Sequence, residues 1–275
     1  MVQIISDSEI TLLEQQALIA AQRIFPCEEN LIDSMPMTDI IKALQTSVCP
    51  QQHPFLVRVA GQSGTGKSTQ LVPALEQLLA GIPYTKINVG LFAPFHPRYL
   101  EWQKQNPNLL REKTNGFALR ALILFYCHCI QQRTNILLDM TLLEPEIEHY
   151  LMGIAKKYGY RIQLHVMCVP KKVSDFFVRQ RYIMTGRYVS QKSTLYFFNI
   201  LANSLKSLIN RLFFDKTDEL WLWSHYHARP LKKTSFFNPY VTTILMKQQQ
   251  NRRIKKASVM LKAKKTWLFL LRGKV

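Results

Sequence analysis

Features that would place the chain in a secreted or membrane-spanning class are scarce in this sequence. Its 275 residues include five cysteines, an odd number without regular spacing, which argues against the disulfide framework of a small secreted domain. The N-terminal residues lack the basic start and apolar stretch of a signal peptide. No run reaches the roughly 18 uncharged apolar residues of a membrane span; residues 117–130 come nearest, but include Arg120 and His128. We therefore expect a cytoplasmic protein with reduced thiols and no transmembrane segment.

Acidic residues are missing from the last part of the chain. None follows Glu219, whereas thirteen Lys and Arg residues do, and these account for most of the formal net charge of +18. Ten of the thirteen lie in a basic C-terminal extension, residues 236–275, in which residues 244–271 could form a helix. A solvated tail or a docked terminal helix is the simpler interpretation, and contact with nucleic acid or an anionic membrane surface is the alternative.

One glycine-rich stretch carries the most specific signal. Residues 61–68 fit the pattern Gly-x-x-x-x-Gly-Lys-Ser/Thr of a phosphate-binding P-loop and directly follow the apolar run of residues 55–60. Glycines let backbone N–H groups turn toward phosphate oxygens, and a helix that begins near Lys67 adds further N–H groups. Lys67 would contact the β- and γ-phosphates, and Ser68 would ligate Mg²⁺. The residues expected to bind nucleotide are Gly61, Gln62, Ser63, Gly64, Thr65, Gly66, Lys67, Ser68 and Thr69.

Strand and helix patterns alternate along the chain. With 47% hydrophobic residues it can bury a large core. Predicted strands cover residues 55–60, 84–89, 135–139, 161–169 and 219–223, and helices of ten or more residues separate most of them. Such connections predict an α/β fold with a mostly parallel five-stranded sheet flanked by helices and with ligands at the carboxyl ends of the strands. We expect N-terminal helices within residues 1–50, a catalytic domain over 51–235 and the extension over 236–275.

Charged residues near the predicted strand ends suggest phosphoryl transfer. Asp139 closes an apolar strand, as a metal-holding carboxylate would; a strand-terminal turn residue is the less favoured alternative. Arg181 and Arg187 lie on and just past a predicted helix, with Gly186 as a candidate hinge, where a lid could bring them onto the transferring phosphate. Pro73 is a misfit inside the predicted helix 67–80 and predicts a kink.

Residues from about 55 to 222 resemble the zeta toxin family. The segments that carry the resemblance are residues 60–68, His96-Pro97, 137–141, 166–170, 179–182 and 186–189. The family consists of ATP-dependent kinases of bacterial toxin–antitoxin systems that phosphorylate UDP-N-acetylglucosamine. The resemblance implies a P-loop kinase fold, ATP and Mg²⁺ as cofactors, an antitoxin protein as a possible partner, and Arg181 and Arg187 as stabilisers of the γ-phosphoryl group. His96 and Thr141 lie in matching segments and are candidate substrate contacts.

The sequence departs from the family where the catalytic aspartate is expected. Gly90 occupies that position, two residues before Phe92, and glycine can accept no proton. Leu143 also replaces an arginine of the substrate side. Asp139 could serve as the base, the acceptor could differ, or the protein could bind nucleotide without transfer. His96 is a further candidate base, but a loop-capping histidine is the simpler interpretation.

Together these patterns predict a kinase that transfers the γ-phosphate of ATP to a hydroxyl of a small acceptor, such as a nucleotide sugar. One alternative is a catalytically degenerate ATP-binding protein, which Gly90 favours. The other is a nucleic-acid-directed kinase or binder, which the basic extension favours.

Overall fold

A six-stranded sheet forms the centre of the protein, with the strand order β2-β3-β1-β4-β5-β6. The computed structural model describes residues 7–27, 31, 35–45, 49–141, 145–169, 171–186, 189–210, 218–224 and 227–234. The strands are β1 (Phe55–Ala60), β2 (Thr85–Ile87), β3 (Ile136–Asp139), β4 (Arg161–Cys168), β5 (Glu219–Ser224) and β6 (His227–Thr234). The first five pair in parallel, so the predicted α/β fold with five parallel strands is confirmed.

Helices connect the strands. Those in the described ranges are α1 (Asp7–Ile24), α2 (Met37–Leu44), α3 (Val72–Leu78), α4 (Tyr99–Gln105), α5 (Leu110–Gln131), α6 (Pro145–Lys157), α7 (Lys171–Thr185) and α8 (Gln191–Asn210). The crossover connections place the carboxyl ends of β1 to β4 at one edge of the sheet. The P-loop, the segment after β2 and Asp139 therefore share that edge, as the sequence predicted.

The sixth strand, β6, was not predicted. It pairs antiparallel with β5, from Leu220 opposite Thr234 to Ser224 opposite His227, with register shifts around Trp223. Its sequence, His-Ala-Arg-Pro-Leu-Lys-Lys-Thr, contains a proline and several basic residues, and this composition is typical of loops. An edge strand tolerates proline because one side of its backbone needs no ladder hydrogen bond.

The predicted kink at Pro73 takes the form of a change of helix type. Residues Lys67–Leu71 form a π-helical turn, and α3 begins at Val72. Pro73 thereby lies in the first turn of a new α-helix, where its missing N–H leaves no hydrogen bond unmade.

Helix α1 packs on the core of the fold through small side chains. Ala17, Ala20 and Ala21 are buried against the large core cluster, to which α5 contributes many members. The chain after α1 passes so close to α5 that a Cβ atom on Gly116 would lie 2.5 Å from the carbonyl oxygen of Pro26. Glycine at this point of α5 therefore permits the contact between the two segments.

One charged side chain lies inside the sheet. Arg58, on the central strand β1, forms an ion pair with Glu148 of α6, and both side chains are fully buried. The Arg58 guanidinium also donates to the carbonyl oxygens of Val59, Met140 and Thr141. A single residue thus connects the strand before the P-loop, the segment after β3 and a covering helix.

The basic extension, including the predicted helix over 244–271, lies outside the described residues, and so does Arg187. None of the helices within the described ranges is both long and apolar enough to cross a membrane. The domain boundaries at residues 50 and 235 stay predictions.

Replacement of Arg58 tests the buried pair. Arg58→Met leaves the Glu148 carboxylate buried without its partner, so we expect the free energy of unfolding to fall by about 3–5 kcal/mol. The double variant Arg58→Met/Glu148→Leu removes both charges, so its free energy of unfolding should fall by less. Urea unfolding measures the free energy of unfolding of both variants. The control is Arg98→Met, which breaks the exposed Arg98–Glu101 pair. A double variant that is less stable than Arg58→Met would contradict this account.

Candidate active site

The P-loop has a backbone that requires glycine. Gly61 and Gly64 have φ angles of +143° and +75°. A Cβ atom on Gly61 would lie 2.9 Å from the carbonyl oxygen of Met167, and one on Gly64 would collide with the carbonyl oxygen of Ser174. Larger residues are thus excluded both by conformation and by the neighbouring β4 and α7.

Side chains tie the loop to its surroundings. The Gln62 side-chain amide donates to the carbonyl oxygen of Val169 at 3.0 Å, and the Ser174 hydroxyl donates to the carbonyl oxygen of Ser63. Within the loop, the Thr65 hydroxyl donates to the carbonyl oxygen of Gln62 at 3.0 Å. The end of β4 and the start of α7 therefore hold the loop in one shape.

Lys67 lies in a strongly cationic environment. Its ammonium group donates to the carbonyl oxygens of Gly61 at 2.5 Å and Gln62 at 2.9 Å. Burial lowers the pKa of Lys67 to about 7; Asp139 opposes this shift, and the guanidinium groups of Arg111, Arg181 and Arg58 add to it. The sequence predicted Lys67, Asp139 and Arg181 as site residues, and the structure brings them close enough to interact electrostatically.

Asp139 is held by a neighbour that the sequence did not single out. Its carboxylate accepts a hydrogen bond from the Asn88 side-chain amide at 3.1 Å, and its carbonyl oxygen accepts another at 2.8 Å. The Asn88 oxygen accepts in turn from the backbone N–H of Gly90 at 2.8 Å. One amide therefore connects the buried carboxylate at the end of β3 with the loop in which the family's aspartate is missing.

The donor groups expected to hold Mg²⁺ are of the right chemical type. Ser68, in the π-helical turn, is exposed, as is Thr69. A serine hydroxyl and the Asp139 carboxylate are oxygen ligands, which Mg²⁺ prefers. Within the described residues, no group of three or more His, Cys, Asp or Glu side chains is arranged to hold a metal ion by itself. Metal binding here would therefore depend on phosphate oxygens as well.

Helix α7 carries Arg181 and ends at the candidate hinge. Gly186 follows its last residue with a φ angle of +67°, and Arg187 lies beyond the described part of the chain. Ser174 and Val178 of this helix contact the P-loop. Arg181, one turn after Val178, is thereby placed on the same side as Lys67.

His96 is buried in a loop-capping arrangement. Its Nδ1 atom accepts a hydrogen bond from the backbone N–H of Arg98 at 3.0 Å. The imidazole ring packs against Trp102 and Phe117, with ring centroids 4.5 and 5.1 Å away. This geometry is that of a loop-capping histidine, and a role of His96 in substrate contact stays a prediction.

A pocket lies beside the segments that follow β2 and β3. Helix α5 contributes Arg111, Asn115 and Leu119, which share a helix face because they are four residues apart. The remaining lining residues are Phe25, Val89, Met140, Thr141 and Phe197. Sequence reasoning selected only Thr141 among them. The four-residue spacing could have pointed to the α5 face, but no local pattern identifies Phe25.

Comparisons with known proteins agree with the fold and the motifs. A sequence profile described as zeta toxin matches residues 39–224. Toxin PezT of Streptococcus pneumoniae serotype 4 is 25% identical over 142 residues, which make up 52% of this chain and 55% of that protein. The chain thus spans about half the length of this curated relative.

A solved structure extends the likeness over most of the fold. A chain from the PezAT chromosomal toxin–antitoxin system of Streptococcus pneumoniae superposes with a TM-score of 0.67 at 18% identity, covering 90% of this chain and 99% of that chain. At this identity the superposition supports the fold alone. The family profile covers more than half of the sequence and includes the P-loop, Asp139 and Arg181. The resemblance inferred from the motifs is therefore confirmed, and the chain belongs to the zeta toxin family.

Proposed function

We propose that the protein is an ATP-dependent kinase that transfers the γ-phosphate to a hydroxyl of a small acceptor, a nucleotide sugar such as UDP-N-acetylglucosamine. The observation that carries this proposal is the concentration of positive charge around Lys67, whose pKa is lowered to about 7 beside a P-loop of the required backbone shape. Such a site favours a polyanion over a neutral ligand.

Each site residue would then have a defined role. The loop N–H groups and Lys67 bind the phosphates, and Arg181, with Arg187, neutralises charge on the group in transfer. Ser68 and Asp139 would hold Mg²⁺, which would supply positive charge against the phosphates. Asn88 keeps the Asp139 carboxylate oriented through its amide.

The glycine at position 90 would slow phosphoryl transfer but would not change the type of reaction. Phosphoryl transfer passes through a loose transition state in which positioning and charge contribute most, and a general base adds about 10²–10⁴-fold. A chain without the aspartate can therefore transfer phosphate slowly, with Asp139 as the remaining buried carboxylate near Lys67. An ATP-binding protein without transfer is the alternative that the same residue favours.

Relatives suggest the setting of this activity. The PezAT system, to which the matched solved chain belongs, is a toxin–antitoxin system. By analogy we propose an antitoxin protein as a partner, and a cytoplasmic location in which nucleotide sugars occur.

Transfer of label from ATP tests the proposed function directly. The purified protein, Mg²⁺ and γ-labelled ATP are incubated with a panel of nucleotide sugars, and labelled products are separated. We expect at least one labelled nucleotide sugar, and its loss with Lys67→Ala, which removes the phosphate-binding ammonium group. Absence of any labelled acceptor at saturating ATP would contradict the kinase proposal.

ATP binding should depend on pH through Lys67. Its pKa of about 7 means that the ammonium group is largely neutral at pH 8, and the negative charge of a bound triphosphate would raise this pKa. Binding should therefore take up more protons at pH 8 than at pH 6, and affinity should fall as the pH rises above about 7.

Calorimetry in buffers of different ionisation enthalpy measures this uptake. The variant Lys67→Met, which cannot titrate, should show none of the difference between pH 6 and pH 8. Equal uptake by the wild-type protein at both pH values would show that Lys67 is already charged before ATP binds.

Restoring the carboxylate tests the role of Gly90. A Cβ atom there would meet only the Asn88 side-chain oxygen, at 3.1 Å, so Gly90→Asp should fold. We expect the transfer rate to rise by about 10²-fold or more, whereas Gly90→Ala should not raise it. Transfer that appears only in Gly90→Asp would identify a degenerate enzyme. An unchanged rate in an active protein would show that another group already acts as base.

A further inference from the structure

The pocket borders the segments that follow β2 and β3. Thr141 follows Asp139 by two residues, and Val89 precedes Gly90, and both line this pocket. Arg111, a third lining residue, is near enough to Lys67 to affect its pKa. An acceptor placed in the pocket would therefore have its hydroxyl next to the phosphate-binding groups.

The pocket lining indicates the chemistry of its ligand. Arg111 is its cationic member, and Asn115 and Thr141 offer hydrogen bonds. Phe25 and Phe197 supply aromatic surface from two different parts of the chain. A fitting ligand combines an anionic group, for the guanidinium, with a flat or apolar group that can stack on a phenyl ring.

Phe25 is held in place by contacts outside its own side chain. It directly follows α1, and its backbone N–H donates to the carbonyl oxygen of Ala21 at 2.8 Å. The Gln22 amide exchanges two hydrogen bonds of 2.9 Å with the backbone of Cys27, and Arg120 of α5 donates to the Gln22 oxygen. The close approach at Gly116 fixes the same turn against α5. Phe25 thus occupies a defined position at the pocket.

The segment that carries Phe25 precedes the part of the chain that matches the family profile, which begins at residue 39. We propose that Phe25, near the end of the N-terminal segment Asp7–Cys27, completes the acceptor site by contacting the flat or apolar part of the acceptor, and that Arg111 binds its anionic group. This inference rests on the proposed kinase function. In this proposal, a substrate-binding residue lies outside the part of the chain that the family profile matches.

The test compares acceptor and nucleotide affinity in the full-length chain. Calorimetry measures the Kd of UDP-N-acetylglucosamine and, separately, of ATP with Mg²⁺. We expect Phe25→Ala and Arg111→Gln each to raise the acceptor Kd by about tenfold, and Phe25→Ala to leave the ATP Kd within twofold. Phe25→Leu keeps an apolar contact, so its acceptor Kd should lie between those of the wild-type protein and Phe25→Ala.

The control variant is Ile19→Ala, which changes an apolar side chain of α1 that is 70% exposed and should leave both Kd values unchanged. A purely structural role of Phe25 would instead lower the thermal midpoint and raise both Kd values together. Acceptor binding by Phe25→Ala and Arg111→Gln that equals wild type would overturn the inference and leave the kinase proposal intact. A wild-type protein that neither binds nor phosphorylates any nucleotide sugar would overturn both.

Discussion

A buried guanidinium group sets the geometry on which the site depends. Arg58 lies on the central strand, pairs with Glu148, and donates to the carbonyl oxygens of Met140 and Thr141 just after Asp139. The strand that leads into the P-loop and the segment that follows the carboxylate are therefore joined through one planar group. Because a guanidinium has five N–H donors in a fixed arrangement, it restricts these segments to one relative position.

Two cations in neighbouring parts of the fold differ in how far nearby groups compensate their charge. Arg58 is fully buried but compensated by a carboxylate and three carbonyl oxygens, so its charge serves the structure. The Lys67 ammonium group donates to carbonyl oxygens, and burial, with a smaller contribution from three nearby arginines, lowers its pKa. An incompletely compensated cation is suited to bind an incoming anion, and a compensated one is suited to hold a framework.

The sequence predicted the parts of the molecule that local patterns encode. The P-loop motif and the alternating strands and helices were sufficient for five parallel strands and for the location of Lys67 and Asp139 at one sheet edge. Asn88, Arg58 and Phe25 were not identified from the sequence, because their roles depend on residues far away in the chain. Asn88 lies 51 residues from Asp139, Arg58 lies 90 residues from Glu148, and Phe25 lies more than 60 residues from the other residues that line the pocket. Strand β6 was not predicted because proline and basic residues have low strand propensity. Its pairing with β5 outweighs that propensity.

Strand β6 also has a consequence for the solution behaviour of the protein. Without it, the parallel sheet would end at β5, whose sequence Glu-Leu-Trp-Leu-Trp-Ser is rich in large apolar residues. An exposed edge of this kind is a template for pairing between molecules and hence for aggregation. The antiparallel strand β6 occupies that edge, so that β5 is paired on both sides, with β4 and with β6.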